Sequence, residues 1–203
     1  MTNILFIKSK KIMKKLLVMA AVMLASVGAY AQHAVGSFTL QPKVGMNIAT
    51  LTDADDADAR IGFVGGLETE YQATDIFSLS AGVLYSMQGC KYDYNNIKTT
   101  NKLDYINIPI MANVYVAKGL AVKLGVQPAF NVNSEVKVSR GNTSASTDVD
   151  AKSFDFSIPV GISYEYSNVV LDARYNWGLT KVADGMDSKN SVFQITLGYK
   201  FDL

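Results

Sequence analysis

Cysteine and histidine are almost absent from this chain of 203 residues, which contains one of each, Cys90 and His33. A single cysteine cannot form an internal disulfide, and the two residues together cannot supply the ligands of a structural zinc site. Histidine is the side chain that enzymes use most often as a general base, and His33 precedes the first predicted strand. We expect His33 to belong to a solvated tail and Cys90 to be an unreactive thiol. We therefore predict no catalytic residues, no cofactor and no metal site.

Charged side chains are also scarce, at 18% of the residues, and the formal net charge is only +1. Five of the lysines lie in the first 31 residues, where there is no Asp or Glu, so the rest of the chain is mildly acidic. Nucleic-acid binding would require clustered Lys and Arg, and we expect no such partner. The acidic segment 52–58 lacks the glycine and the distal glutamate of a calcium-binding loop, so we interpret it as a solvated loop.

The chain has no apolar run of the roughly 20 residues that a transmembrane helix needs. Its longest run, residues 16–25, follows Lys14 and Lys15 and precedes an Ala-x-Ala motif that ends at Ala31. This order is typical of a secretory signal peptide, here cleaved between Ala31 and Gln32. The alternative is a membrane-anchoring helix, for which the run is short. A lipoprotein anchor would need a cysteine in place of Gln32.

The predicted domain boundary follows from that cleavage site. Residues 1–31 form the predicted signal peptide, and residues 1–12 are interpreted as an upstream extension because the signal-like pattern begins at Met13. Residues 32–203 then form one domain, which is a usual length for a single domain.

Apolar and polar residues alternate along most of the predicted mature domain. Such alternation indicates β-strands with two different faces, whereas an amphipathic helix repeats every three to four residues. We therefore predict an all-β domain with eight strands. The predicted strands are residues 38–49, 61–72, 77–88, 103–116, 120–132, 154–166, 169–179 and 191–203.

The predicted connections alternate in length. Those after the second, fourth and sixth strands are tight, and those after the odd-numbered strands are long and polar. Short turns at one end and long loops at the other are typical of outer-membrane barrels, which have periplasmic turns and extracellular loops. The tight connections are residues 73–75, 117–119 and 167–168, and the long loops are residues 50–60, 89–102, 133–152 and 180–190.

Alternation alone does not show which face of the barrel is outside. A soluble lipocalin-like barrel also has eight strands, but its apolar side chains point inward. The glycines favour the opposite orientation, because those in the predicted strands lie on the polar face, with Gly65 as the main exception. A polar face exposed to water gains nothing from a residue that weakens strands. A narrow lumen, in contrast, needs small side chains. The glycines on the polar face are Gly45, Gly62, Gly66, Gly82, Gly125, Gly161, Gly178 and Gly198.

Aromatic and charged residues favour the same orientation. Aromatic residues on the apolar face fall into two bands separated by aliphatic residues, as at the two interfaces of a bilayer. No charged residue lies on the apolar face between the bands, where a lipid-facing Lys or Arg would cost about 2–4 kcal/mol. We therefore predict an eight-stranded antiparallel up-and-down transmembrane β-barrel of OmpA/OmpX-like size in the bacterial outer membrane.

Seven charged residues of the polar face are predicted to form a structural charge network inside the barrel. Eight strands enclose a space that side chains just fill, and buried charges need partners of opposite sign. We therefore expect Arg174 to pair with acidic members of the network as an internal brace, and we expect no general porin activity. The predicted members are Lys43, Glu68, Glu70, Lys123, Asp155, Asp172 and Arg174.

All four prolines fall inside predicted strands. Each lacks the N–H group that would donate to a neighbouring strand. We expect β-bulges to accommodate them, since a bulge leaves a residue outside the regular ladder. The prolines are Pro42, Pro109, Pro128 and Pro159.

An Ile-Pro-Ile strand, a Gly-x-Gln-Pro strand and an Arg-Tyr-x-x-Gly-Leu strand follow one another along the chain. With the segment Phe154 to Gly161, these motifs resemble the PorT-like family of outer-membrane β-barrels, in which prolines are a regular feature. The resemblance covers nearly the whole mature domain. It implies an integral outer-membrane protein; a few relatives serve protein secretion. The motifs lie in residues 104–110, 125–130 and 171–179.

The end of the chain resembles the C-terminal signal that the barrel-assembly machinery reads. Gly198 is followed by alternating hydrophobic residues that include Phe201, and the chain ends on Leu203. The alternative is an ordinary amphipathic last strand, because the match is short.

Three functions are compatible with these patterns. The leading hypothesis is a structural or interaction protein that acts through its extracellular loops, in surface attachment, envelope integrity or a secretion or uptake complex. Its partners would be outer-membrane lipid, the barrel-assembly machinery and an extracellular or envelope protein. The second hypothesis is a soluble periplasmic barrel that binds an apolar ligand. The third, a lipid-modifying enzyme, is disfavoured by the single histidine.

Overall fold

The structure, a computed structural model, describes residues 33–52, 57–94, 97–141, 143–183, 185 and 187–203. Every regular element in these ranges is a β-strand. The predicted signal peptide lies outside the described residues, together with its cleavage site at Ala31 and Gln32, and so do residues 53–56 of the acidic loop. Within the described ranges, no helix is long and apolar enough to cross a membrane.

The described strands form one antiparallel sheet that closes on itself. Their bounds are β1 Phe38–Leu51, β2 Asp58–Thr74, β3 Phe77–Tyr94, β4 Ile97–Asn107, β5 Ile110–Ala117, β6 Leu120–Arg140, β7 Thr143–Asp148, β8 Phe154–Tyr166, β9 Val169–Lys181, β10 Lys189–Tyr199 and β11 Phe201–Asp202. The ring closes because β10 and β11 both pair with β1.

The ring consists of eight barrel strands, as predicted. β4 and β5 are two parts of one barrel strand, interrupted at Ile108 and Pro109, and β10 and β11 are two parts of another, interrupted at Lys200. Among the described strands, β7 lies outside the ring and pairs with β6 alone. Neighbouring barrel strands follow one another in sequence, so the up-and-down topology is confirmed.

The prolines leave the strand register unchanged, so the expectation of β-bulges at these positions is wrong. β4 and β5 pair with β3 in one continuous register on the two sides of Pro109. The carbonyl of Pro109 accepts a hydrogen bond from the Gly82 amide at 3.0 Å, because proline loses only the donor. The register shifts lie at other positions, between residues 59 and 64, 72 and 74, 104 and 105, 115 and 117, and 189 and 191.

Apolar side chains point away from the barrel axis. Leu124 and Leu171 are 55% and 53% exposed, whereas Asp172 and Arg174 on the opposite face are 0% and 1% exposed. This is the arrangement of a barrel whose outer surface contacts hydrocarbon. A soluble barrel with an apolar interior is therefore excluded.

Aromatic rings lie at both ends of the outward surface. At the end with the tight turns, Phe38 packs against Tyr71 with ring centroids 4.7 Å apart. At the opposite end, Phe130 contacts Phe154 edge to face at 5.7 Å. Aromatic residues at these two heights match the two interfaces of a bilayer.

Two of the predicted loops are mainly strand. β3 and β4 stay paired as far as Tyr94 and Ile97, and β6 continues to Arg140 before β7 pairs back along it. The predicted loops 89–102 and 133–152 are therefore wrong over most of their length. These strands were missed because most of their residues are polar, so they lack the strict alternation of apolar and polar residues that marks the barrel wall. We call residues 89–94, 97–103, 134–140 and 143–148 the outer hairpin sheet.

Two lumen-facing glycines mark places where neighbouring strands approach too closely for a side chain. A Cβ atom at Gly45 would lie 2.0 Å from the carbonyl oxygen of Ile195, and one at Gly125 would lie 2.1 Å from that of Ile110. Both neighbours are backbone atoms, so no rotamer change could relieve the contact. Glycine at these positions lets the strands stay paired.

We predict that Gly45→Val lowers the free energy of unfolding by about 1–3 kcal/mol, because the new side chain forces β1 and β10 apart. Urea unfolding in lipid vesicles, followed by the gel mobility of the unheated protein, measures the effect. The matched control is Ala81→Val on the exposed outward face, which should leave the midpoint nearly unchanged. Equal midpoints for the two variants would contradict the prediction.

Candidate functional site

Five charged side chains meet inside the lumen, and we call them the central charge cluster. β1 contributes Lys43, β2 contributes Glu68, β6 contributes Lys123, and β9 contributes Asp172 and Arg174. Each is at most 2% exposed. They meet because each occupies a lumen-facing position of its strand, where side chains alternate between the two faces.

Two carboxylates hold the three cations of this cluster. Glu68 lies 3.0 Å from Lys43 Nζ and 3.2 Å from Lys123 Nζ, and Arg174 Nη2 donates to it at 3.3 Å. Asp172 accepts hydrogen bonds from Lys123 at 2.9 Å and from Arg174 Nη2 at 2.7 Å and Nε at 2.8 Å. Such pairing is required because an unpaired buried charge is costly. The cluster therefore connects four strands across the lumen.

Buried amides fill the lumen on the outer side of the central charge cluster. The Asn47 amide donates to the Ser86 hydroxyl at 2.9 Å, and the Gln127 amide donates to the Ser157 hydroxyl at 3.2 Å. Packed polar side chains give the interior the character of a plug. The amide side chains of this region, each at most 3% exposed, include Asn47, Asn107, Gln127, Asn176 and Gln194.

A second group of charges lies at the end of the lumen with the tight turns, and we call it the basal cluster. Lys200 Nζ lies 3.0 Å from Glu70 and 2.9 Å from Glu165, and it donates to the Tyr115 hydroxyl at 3.2 Å. The Tyr115 hydroxyl in turn donates to Glu70. The basal cluster consists of Glu70, Tyr115, Glu165 and Lys200.

His33 lies against the basal cluster, so the expectation of a solvated tail is wrong. Its Nε2 lies 2.9 Å from Glu165 and its Nδ1 lies 2.6 Å from Asp202, and its side chain is only 6% exposed. The hydrogen bond with Glu165 raises the pKa of His33 above its usual 6.5, against the lowering effect of burial. Sequence reasoning missed this contact because its partners are 132 and 169 residues away along the chain.

Asp155 lies at the other end of the lumen. It accepts a hydrogen bond from the Asn190 amide at 3.0 Å and another from the Thr180 hydroxyl. Of the seven residues predicted as one network, the structure brings five together in the central charge cluster. Glu70 and Asp155 have other partners, because they occupy different heights in the barrel.

The remaining sequence features lie apart from these clusters. Gly198 is in β10 and Phe201 in β11, the strands that close the ring, and Leu203 is 77% exposed. Cys90 is buried beside the Asn101 amide, with Nδ2 3.7 Å from Sγ. In the part of the chain that the structure describes, no group of three or more His, Cys, Asp or Glu side chains could hold a metal ion.

The outer hairpin sheet extends beyond the outer aromatic band. One side has a groove of about 300 Å³ whose lining includes Lys91, Lys98 and Lys137, and Lys102 is paired with Glu135 at 2.8 Å. Every residue of β7 is exposed. The sequence analysis assigned nearly all of these residues to loops, so it did not predict a sheet on the outer side of the membrane.

Comparison with known proteins identifies the family. Residues 30–184 match the family described as outer membrane protein beta-barrel domain. The chain belongs to this family. It is thus a β-barrel of the bacterial outer membrane, with lipid around its apolar surface. No curated protein sequence matches the chain.

Solved barrels resemble this outer-membrane barrel at low sequence identity. The attachment invasion locus protein Ail of Yersinia pestis, in complex with the heparin analogue sucrose octasulfate, is 13% identical with a TM-score of 0.50, over 83% of this chain and 100% of that chain. Neisserial surface protein A is 18% identical with a TM-score of 0.49, over 81% of this chain and 97% of that chain. At these identities the likeness to Ail shows the fold alone.

We predict that Asp172→Asn destabilises the barrel by about 3–5 kcal/mol, since it leaves buried cations with one carboxylate fewer. Urea unfolding in lipid vesicles measures the loss. Asp187→Asn is the matched control, because Asp187 pairs with Lys181 but is 81% exposed, and exposed pairs contribute about 0–1 kcal/mol. Similar losses in the two variants would show that the cluster adds no more than a surface pair.

We predict that His33 titrates above pH 6.5, the usual pKa of the side chain. Because its pKa is raised in the folded state, its contribution to stability is complete below pH 6.5 and is lost as pH rises through the raised value. NMR titration of the imidazole in detergent micelles measures the pKa. Glu165→Gln should shift it down, and an unshifted midpoint in the unaltered protein would rule out the contact.

Proposed function

We propose that this protein makes contacts at the bacterial surface: the barrel anchors it in the outer membrane, and the outer hairpin sheet binds macromolecules outside the cell. The observation that carries this proposal is the contrast between the filled lumen of the barrel and the exposed outer hairpin sheet. Buried ion pairs and amides occupy the lumen, whereas three barrel strands continue past the outer aromatic band and gain an added strand, β7.

The filled lumen supports a structural role for the predicted charge network. An eight-stranded barrel is just wide enough for side chains to fill, and the central charge cluster spans it from β1 and β2 to β6 and β9. A solute could pass only if these ion pairs opened. The proposal therefore assigns the barrel to anchoring and not to transport.

Narrower parts of the proposal rest on sequence motifs. The motifs of residues 104–110 and 171–179 support membership of the PorT-like branch, and with it a role beside a secretion complex. The ending at Gly198, Phe201 and Leu203 supports recognition by the barrel-assembly machinery. The name of the Yersinia protein refers to attachment, which agrees with the proposed surface contact. The proposal does not rest on that name.

A photo-crosslinking amino acid at Tyr94, which is 76% exposed in the outer hairpin sheet, tests the proposal in intact cells. We expect adducts with extracellular protein or polysaccharide. The same probe at Lys118, in a tight turn at the opposite end, is the control and should give only periplasmic adducts. Extracellular adducts from Lys118, or none from Tyr94 in cells attached to a surface, would overturn the proposal.

A further inference from the structure

The β7 strand presents an open edge to the surroundings. Among the described strands it pairs with β6 alone, and all six of its residues are exposed. Natural proteins usually protect such an edge with lysine, proline or a bulge. β7 contains no lysine or proline, and its pairing with β6 has no register shift. Its outer backbone groups are therefore available to another strand.

The sequence of β7 is self-complementary. Residues 143–147 read Thr-Ser-Ala-Ser-Thr in either direction, with Ala145 at the centre. If two copies pair antiparallel about Ala145, Thr143 faces Thr147 of the second copy, and Ser144 faces its Ser146. A two-fold symmetric contact requires a self-complementary surface of this kind, and Thr–Thr and Ser pairs hydrogen-bond across strands.

We propose that β7 pairs antiparallel with β7 of a second copy of this chain. This inference rests on the proposed surface role and names the partner. The pairing also continues an apolar row. Val138 is the partner of Ala145 within one copy and is 41% exposed, so the joined sheets would place Val138, Ala145 and their symmetry mates side by side.

The direction of pairing determines how the two barrels are oriented. Antiparallel strands of one sheet are related by a two-fold axis perpendicular to the sheet. Because β6 runs without interruption from the barrel wall into the outer hairpin sheet, that sheet rises from the membrane surface. The two-fold axis, which is perpendicular to the sheet, is therefore parallel to the plane of the membrane. Rotation about this axis inverts the second barrel. The pairing therefore joins copies in two facing membranes, as in contact between cells.

The pairing edge stands clear of the bilayer. Ala145 is paired with Val138, which is eight residues beyond Phe130 of the outer aromatic band, or about 26 Å along the strand. One such short pairing is weak, but many copies held in two facing membranes raise one another's effective concentration. We therefore expect avidity between membranes and little association between dilute copies in detergent.

Clustering of phosphatidylcholine vesicles that contain the folded protein tests the proposal by light scattering. The unaltered protein should cluster vesicles. Ser144→Lys/Ser146→Lys and Ser144→Glu/Ser146→Glu place like charges opposite each other and should each abolish clustering, whereas mixing the two vesicle populations should restore it. Dispersed vesicles with the unaltered protein, or no recovery on mixing, would overturn the pairing.

Two controls separate pairing from folding and from net charge. Heat-modifiable gel mobility shows whether each variant is folded. Asp187→Lys changes the net charge by the same two units at an exposed position outside the outer hairpin sheet and should cluster vesicles like the unaltered protein; loss of clustering there would attribute the effect to net charge. If vesicles stay dispersed while Tyr94 probes still capture extracellular material, the second copy is the wrong partner and the surface role stands.

Cysteine crosslinking tests the register. Ala145→Cys places two thiols directly opposite each other, so mild oxidation should link differently tagged copies from two mixed vesicle populations. Thr143→Cys is the matched control, because Thr143 would face Thr147 and not itself; the native Cys90 is buried in both. Equal crosslinking of the two variants, or crosslinks only within one population, would overturn the proposed register and orientation.

Discussion

Two carboxylates, Glu68 and Asp172, hold three cations inside the lumen, and the inverted arrangement of the molecule depends on them. A protein that presents leucine and valine to hydrocarbon cannot also use them as a core. Its interior must be held together by polar groups, and these are stabilising only when they satisfy one another. The central charge cluster pairs each of its charges with partners from four strands and leaves only the Nη1 atom of Arg174 without a hydrogen-bond partner.

Ring closure provides the second constraint. In hydrocarbon every backbone donor and acceptor must be paired within the protein, so a sheet can span the membrane only as a closed barrel. β10 and β11 complete the ladder with β1. Above the bilayer the constraint is lifted, because water can satisfy an edge. This explains why, among the described strands, an open strand such as β7 occurs in the outer hairpin sheet and not in the barrel wall.

The same change of solvent explains how much of the fold could be predicted from sequence. Lipid on one side and a polar lumen on the other impose strict alternation, so the strand predicted at 154–166 coincides with β8. Beyond the bilayer most residues of a strand are polar, and the predicted strands stop at Gln88 and Val132 although the ladders continue. Alternation showed which charges face the lumen. It could not show which of them meet, because partners depend on the stagger between strands, and this separates Glu70 and Asp155 from Arg174.

The central charge cluster contains one more cation than carboxylates. Its surplus positive charge lies in a region of low dielectric, where Coulomb forces act over longer distances than in water. The basal cluster has two carboxylates and one lysine, so it carries one surplus negative charge. A cation and an anion moving along the axis would each meet one cluster that attracts it and one that repels it, so any residual leak through this barrel would discriminate little between the two signs of charge.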